Sequence, residues 1–131
     1  MAGVVDYGMN DRPMLKIKIQ IYCGDQIAMG PGKADLLDAI ASEGSISAAG
    51  RKLGMSYRRC WLLVDAMNRC WSDPLVATSS EGARLTEAGG AILRDYRALQ
   101  RVATDAGADD GSWSALQSHL RDMPLAAQEQ G

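Results

Sequence analysis

The sequence predicts a mainly α domain with small β-hairpins, laid out as a winged helix-turn-helix with an extra N-terminal strand pair. Three observations carry that prediction. Apolar residues alternate with polar ones over residues 15–22 and then recur at helical spacing from Lys33 onward. Two helical stretches follow each other across a tight Gly54-Met55-Ser56 turn. Two short strand candidates then bracket a Ser- and Gly-containing loop ahead of a further amphipathic helix.

Taken in order, residues 1–13 hold Gly, Asp, Asn and Pro without periodicity and read as a loose N-terminus. In Leu15-Lys16-Ile17-Lys18-Ile19-Gln20-Ile21-Tyr22 every apolar residue but the terminal Tyr22 falls on one face, the pattern of a half-buried strand. Gly24-Asp25 turns it into a second strand, Gln26 to Met29, and Gly30-Pro31-Gly32 breaks the sheet pattern. From Lys33 a helix sets Leu36, Leu37, Ile40 and Ala41 on one face, and Gly44 suits the left-handed residue that closes it. Ser45 and Ser47 offer hydroxyls at the start of a short second helix, about Ala48 to Leu53. Ser56 is placed to cap a third helix reaching about Trp71, with Cys60, Leu63, Val64, Met67 and Trp71 as its apolar stripe. Asp73-Pro74 stops it.

Leu75-Val76-Ala77 and Arg84-Leu85 then bracket a hairpin loop from Thr78 to Ala83. Thr86 caps a fourth helix striped with Ala88, Ile92, Tyr96, Leu99 and Ala103, and Glu87 in its first turn complements the helix dipole. Asp105 through Gly111 reads as a linker, followed by a short helix with Trp113, Leu116 and Leu120 on one face. The expected organisation is thus 1–13 as a flexible N-terminus, 14–103 as the winged helix-turn-helix domain, and 104–131 as linker, short C-terminal helix and tail.

Composition excludes several classes. At 131 residues the chain has the length of one domain, and 47% hydrophobic with 23% charged residues argues against disorder. No stretch approaches the roughly 20 apolar residues of a membrane span, and with Asp6, Asp11 and no apolar run in the first twelve residues a secretory signal is not expected. Cys23, Cys60 and Cys70 form no CxxC pair, and a single histidine leaves almost no scope for a Cys/His metal cage. An odd cysteine count without a framework suits a reducing cytoplasm, so a cytoplasmic protein is expected, with no membrane and no cofactor. No nucleophile stands beside a base, no phosphate loop is present, and no two carboxylates have a reason to converge, so an enzyme is not expected.

The net charge of -2 hides a pattern. Residues 45–103 hold nine Lys/Arg against five Asp/Glu, while residues 1–44 hold four against six and residues 104–131 one against five. A basic middle between acidic flanks is either an unevenly sampled solvated surface or the local field that a phosphate backbone meets.

The order of elements favours the second. The glycine turn lets the third helix lean across the second, so its N-terminal end protrudes with Ser56, Tyr57, Arg58 and Arg59 in succession. A helix N-terminus and serine hydroxyls donate to phosphate, and an arginine reaches guanine O6 and N7 in the major groove of double-stranded DNA. Leu62 projects away from the apolar stripe and joins this candidate DNA-binding set. Ser45 and Ser47 are placed to hold the backbone on the flank, with Arg51 and Lys52 as phosphate candidates at the end of the second helix. In the hairpin loop, Ser79, Ser80 and Arg84 are the candidates for an adjacent groove or its phosphates.

These residues also resemble a family. Gly44-Ser45-Ile46-Ser47-Ala48-Ala49, Leu53-Gly54-Met55-Ser56-Tyr57, Trp61, Val64-Asp65-Ala66-Met67-Asn68, Pro74-Leu75-Val76 and Ala83-Arg84-Leu85-Thr86 are similar to the N-terminal DNA-binding domain of ModE-type molybdate-responsive transcription regulators. The resemblance covers about residues 15–100, and LysR-type regulators share a looser version through Gly44–Ala49 and Leu85–Gly89. It implies a homodimer on a two-fold-related operator, with the dimer built from residues 15–29, 33–43 and 86–103. Two departures stand out. The family's molybdate-binding repeats have no counterpart in the residues after the fourth helix, so the resemblance does not extend to molybdate sensing. The family's wing is often longer and glycine-rich, whereas in this chain it is short and carries Glu81, which repels a phosphate it faces.

Other readings stay beside these. Tyr57 either meets DNA or packs beside the turn, and Arg58 and Arg59 either meet DNA or pair with acidic residues of the first helix. Trp61 and Trp71 fit the core, Asp65 a backbone-bonding role, and Arg94, Arg97 and Arg101 a solvated stripe. The cysteines read as small buried hydrophobes, Cys60 above all. The expected function is a sequence-specific, homodimeric DNA-binding transcription regulator. The alternatives are a winged-helix protein-interaction module and a small-oxyanion sensor with its ligand in the dimer seam.

Overall fold

The structure, a computed structural model, describes residues 14–128, so the loose N-terminus expected over residues 1–13 lies outside the described residues. Two compact units divide the chain, one over Ile17–Val102 and one formed by the described residues on either side of it. The first unit holds both hairpins, the first three helices and most of the fourth.

It opens on an antiparallel hairpin of β1 (Ile21–Cys23) and β2 (Gln26–Met29), turned at Gly24-Asp25 as the sequence predicts. The expected strand over residues 15–22 pairs only at its end. Its alternation persists as burial: Ile17, Ile19 and Ile21 are half-buried while Lys18, Gln20 and Tyr22 are exposed. The reason is length, since β2 has four residues and Pro31 already starts a helix, leaving the segment before Ile21 no ladder partner within the hairpin.

Helix α1 (Pro31–Glu43) begins two residues before Lys33, because proline at a first helical turn loses no hydrogen bond there. It buries Ala34, Leu36, Leu37, Ala39 and Ile40 and closes on Gly44, whose φ is 78°. Helix α2 (Ile46–Leu53) also starts two residues early, because the Ser45 hydroxyl accepts from the Ala48 N–H at 3.0 Å. Its end is the helix-turn-helix turn. Gly54 takes φ 70°, and the Met55 N–H donates to Gly50 O at 2.8 Å. Helix α3 (Tyr57–Cys70) follows, capped by Ser56, whose hydroxyl accepts from the Arg59 N–H at 3.1 Å.

The wing is an antiparallel pair, β3 (Val76–Ser79) and β4 (Gly82–Leu85), in the register Val76↔Leu85 to Ser79↔Gly82. Thr78 and Ser79 are therefore ladder residues, and only Ser80 and Glu81 form the tip. Helix α4 (Glu87–Asp109) starts as expected, with the Thr86 hydroxyl accepting from Gly89 N at 3.0 Å and donating to Pro74 O at 2.6 Å. It runs to Asp109, through most of the segment read as a linker, because nothing from Thr104 to Asp109 is proline and Gly107 alone is tolerated inside a helix. In the second unit, α5 (Gly111–Gln117) is capped by Asp110, which accepts from Ser112 N at 2.8 Å. That bond holds the Asp110 carboxyl below its ordinary range.

The core joins Met29, Leu36, Leu37, Ile40, Cys60, Val64, Met67 and Leu75, all fully buried. Each large apolar side chain there contributes about 1.5–3 kcal/mol by leaving water. Around this centre α1, α2 and α3 pack on one another, with the wing against α1 and the front hairpin against α3. Two polar ties hold the periphery: the Tyr96 hydroxyl donates to Ile19 O at 2.7 Å, and the Trp71 indole donates to Ala28 O at 3.1 Å. Trp71 is half-buried against the core as expected.

Candidate nucleic-acid interface

At 100° per residue, α3 turns Cys60, Val64 and Met67 into the core and leaves Arg58, Leu62, Asp65 and Arg69 along the opposite, exposed side. Arg58 and Leu62 stand one turn apart near its free end. Arg59 lies round the helix toward α1, close enough to Lys33 and Cys60 to act on the titration of both. Burial first, and Arg59 with it, pushes the Lys33 ammonium below its ordinary value. The adjacent arginines thus divide: Arg58 faces outward and Arg59 flanks.

Among the described residues neither Arg58 nor Arg59 makes an ion pair. Two of the three acidic residues of α1 are taken by Arg97 of α4, whose guanidinium lies 2.9 Å from Asp35 and 2.6 Å from Asp38. The stripe Arg94, Arg97, Arg101 is therefore not uniformly solvated, since Arg97 ties α4 to α1. Lys52 is also engaged, 3.5 Å from Glu43 and 3.1 Å from the Ser42 hydroxyl, while Arg51 beside it is exposed.

An open groove runs between the N-terminal ends of α2 and α3 and the wing. It is lined by Ser45, Ser47, Tyr57, Trp61, Thr78 and Ser79. The Tyr57 and Trp61 rings, one turn apart on α3, meet edge to face on one side of it, with centroids 6.3 Å apart and planes at 74°. The structure thus brings together Ser45, Ser47, Tyr57 and Ser79, four of the candidate residues, drawn from three separate stretches of sequence. Ser56, Arg58, Arg59 and Leu62 adjoin it on α3, and all four are exposed. Ser80 sits at the wing tip beside Glu81. Arg84 is exposed on β4 but lines a neighbouring depression with Gly44, Thr78 and Glu81 instead of this groove.

The backbone explains how the wing reaches that position. The Ala83 N–H donates to Gly44 O at 2.9 Å, pinning β4 on the α1–α2 turn. Gly82 has φ 134°, and a Cβ there would stand 2.1 Å from the Gly44 carbonyl oxygen, so only glycine allows the approach. At the other end Asn68 of α3 holds the entry to β3, accepting from Leu75 N at 2.8 Å and Val76 N at 3.1 Å and donating to Val76 O at 3.1 Å.

Two expectations are corrected by these positions. Trp61 is not a core residue: at 37% exposure it stands in the groove. Its signal in the sequence is position, one turn from Tyr57 and about 100° from Cys60, the first core residue of the stripe. Asp65 does not bond the backbone but pairs with Arg69 at 2.9 Å across one exposed turn. Asn68, by contrast, does the backbone bonding in that stretch.

Comparison with known proteins shows what this site is similar to. Residues 33–90, from α1 to the start of α4, match the bacterial regulatory helix-turn-helix proteins of the LysR family. Over that stretch the chain is similar to a LysR-type regulatory helix-turn-helix. Its relatives include the molybdenum-pterin-binding protein MopA of Rhodobacter capsulatus, 31% identical over 121 residues, covering 88% of this chain and 45% of that protein. They also include the DNA-binding transcriptional dual regulator ModE of Escherichia coli K12, 32% identical over 105 residues, covering 74% of this chain and 38% of that protein. The chain spans less than half the length of the curated relatives it matches. Among solved structures, the DNA-binding domain of CbnR, crystallised in complex with DNA, superposes with a TM-score of 0.54 at 28% identity, covering 65% of this chain and 95% of that one. The helix-turn-helix and wing are thus similar to those of DNA-binding regulators. No described helix is long and apolar enough to cross a membrane.

Proposed function

We propose that this chain is a cytoplasmic, sequence-specific transcription regulator that binds a palindromic operator in double-stranded DNA as a homodimer, with α3 as the reading helix. The observation that carries the proposal is the free outward end of α3, where Arg58 has no acidic partner among the described residues and Leu62 is 56% exposed. Laid in a major groove, Arg58 meets guanine O6 and N7 while the apolar Leu62 faces a base edge without a polar demand. Arg59, Ser56 and the α3 N-terminus take phosphates on one strand.

The groove with Ser45, Ser47, Tyr57 and Ser79 receives the sugar–phosphate backbone on the wing side, where hydroxyls and an aromatic edge are suitable donors. Arg51, Lys52, Ser80 and Arg84 act at longer range, and Glu81 keeps the wing tip from close phosphate contact. Exposed Leu99 and Val102 on α4 fit the use of that helix in a dimer. The relatives are named for molybdenum transport and molybdenum-pterin binding, so genes of molybdenum handling are the first place to seek the operator.

The test is selection of genomic fragments by the purified chain at about 100 mM salt, followed by titration of the enriched sequences. One imperfect palindrome, bound by two chains, supports the proposal. Enrichment no better than bulk DNA contradicts it and leaves the basic face for a protein partner.

A further inference from the structure

Cys23 ends β1 and Cys70 ends α3, far apart in sequence but brought to one place by the fold. The hairpin register sets Cys23 directly opposite Gln26, and the Cys70 thiol donates to the Gln26 side-chain oxygen at 3.7 Å. Side chains opposed in an antiparallel pair stand about 4.5–5.5 Å apart on one face, so both sulfurs share a small site around Gln26. Their access differs. Cys23 is exposed, Cys70 is half-buried, and the third thiol, Cys60, is enclosed in the core.

We propose that Cys23 and Cys70 form an oxidisable dithiol, a modification site for peroxide-class oxidants that closes an intrachain disulfide between the front hairpin and the C-terminal end of α3. Cys23, as the exposed thiol, attacks first. Its thiolate sulfur takes one peroxide oxygen, the O–O bond breaks, and hydroxide leaves to be protonated to water. The Cys70 sulfur then attacks the resulting Cys23 sulfenic acid, the S–O bond breaks, and a second water leaves with the Cys70 proton. The two sulfurs together lose two electrons and the peroxide gains them. The surroundings fit these roles. Burial first, and the neighbouring Cys23 thiol after it, raises the Cys70 thiol and sets it against attacking peroxide first, while Arg69 and Lys33 favour the thiolate that the resolving step needs.

The link does not cover the reading end. Leu62 precedes Cys70 by two turns of helix, about 12 Å at 1.5 Å per residue, so the disulfide fastens the base of α3. Its effect is on stability, through the long loop it closes.

The experiment treats the reduced full chain with a small excess of hydrogen peroxide, then denatures it under non-reducing conditions. The expected result is a fall from three titratable thiols to one, a mass loss of about 2 Da, and a proteolytic peptide pair containing Cys23 and Cys70. The melting temperature rises by about 5 °C or more and returns on adding dithiothreitol. Cys23→Ser keeps both remaining thiols, Cys70→Ser stops at an oxygen-bearing Cys23, neither shows the rise, and the wild-type peptide map decides alone if either fails to fold. Three surviving thiols, oxygen added at Cys23 with Cys70 free, or a Cys23 link between two chains would each overturn the proposal.

Discussion

Asn68→Ala removes the joint between α3 and the wing at a single side chain. The wild-type amide makes three hydrogen bonds, two accepted from the Leu75 and Val76 N–H groups and one donated to Val76 O. A neutral hydrogen bond contributes about 0.5–1.5 kcal/mol net, and alanine strands two donors and one acceptor. Asn68 is half-buried, so water recovers part of the loss, and the expected cost is about 2 kcal/mol. In urea, with a slope of about 2 kcal/mol/M, the midpoint falls by about 1 M at unchanged slope. Hydrogen exchange localises the effect: the Leu75 and Val76 amides speed up while those of α1 lose only the global increment. A midpoint shift under about 0.2 M with both amides still protected would refute the reasoning, because it would mean that packing alone seats the wing.

Three further outcomes follow from other contacts. Arg58→Ala is expected to weaken operator binding by about 1–3 kcal/mol and to relax preference at one base pair per half-site, read by titration against single-base variants; uniform weakening across all sequences would make Arg58 a phosphate contact instead. Gly82→Ala forces a Cβ to within 2.1 Å of Gly44 O at φ 134°, so a loss of more than about 2 kcal/mol is expected by thermal melting, and wild-type stability would disprove the wing's close approach. Burial first, with Asp35 adding to it against Arg97, raises the Tyr96 hydroxyl above its ordinary value of 10.0. The folded state then keeps a proton that the unfolded chain releases, so this stabilisation is complete below about pH 10 and fades as the pH climbs through the raised value. Tyr96→Phe should flatten that alkaline decline in a melting series, and parallel curves for both proteins would contradict it.

Much of this fold is legible in the sequence because its signals are local. The caps Ser56 and Thr86 and the stripe of α3 each depend on residues within a turn or two, and each stands where periodicity and capping chemistry put it. The start of the front strand and the length of α4 are less legible. Alternation over residues 15–22 reports which side is buried but not whether a ladder partner exists, and polar Asp105 and Asp109 look like a linker although their backbone continues the helix. The candidate site divides the same way. That Ser56, Tyr57, Arg58, Arg59 and Leu62 occupy one exposed helix end is readable from spacing. That Arg97, not Arg58 or Arg59, takes Asp35 and Asp38 depends on how α4 crosses α1, and that Trp61 faces the wing depends on where Asn68 and Gly82 anchor it. No local pattern carries those tertiary facts.

The most direct test of the central claim is the affinity of the purified chain for its selected operator, measured from about 50 to 200 mM salt beside Arg58→Ala. With Arg51, Arg59 and Arg84 exposed on each chain beside the base-reading Arg58, a dimer that engages them neutralises roughly 6 phosphates, and log affinity should fall linearly with log salt at a slope of about -5. The account predicts that slope for the wild type, with Arg58→Ala losing discrimination between operator and random DNA. A flat salt dependence, or a variant that discriminates as the wild type does, would contradict it.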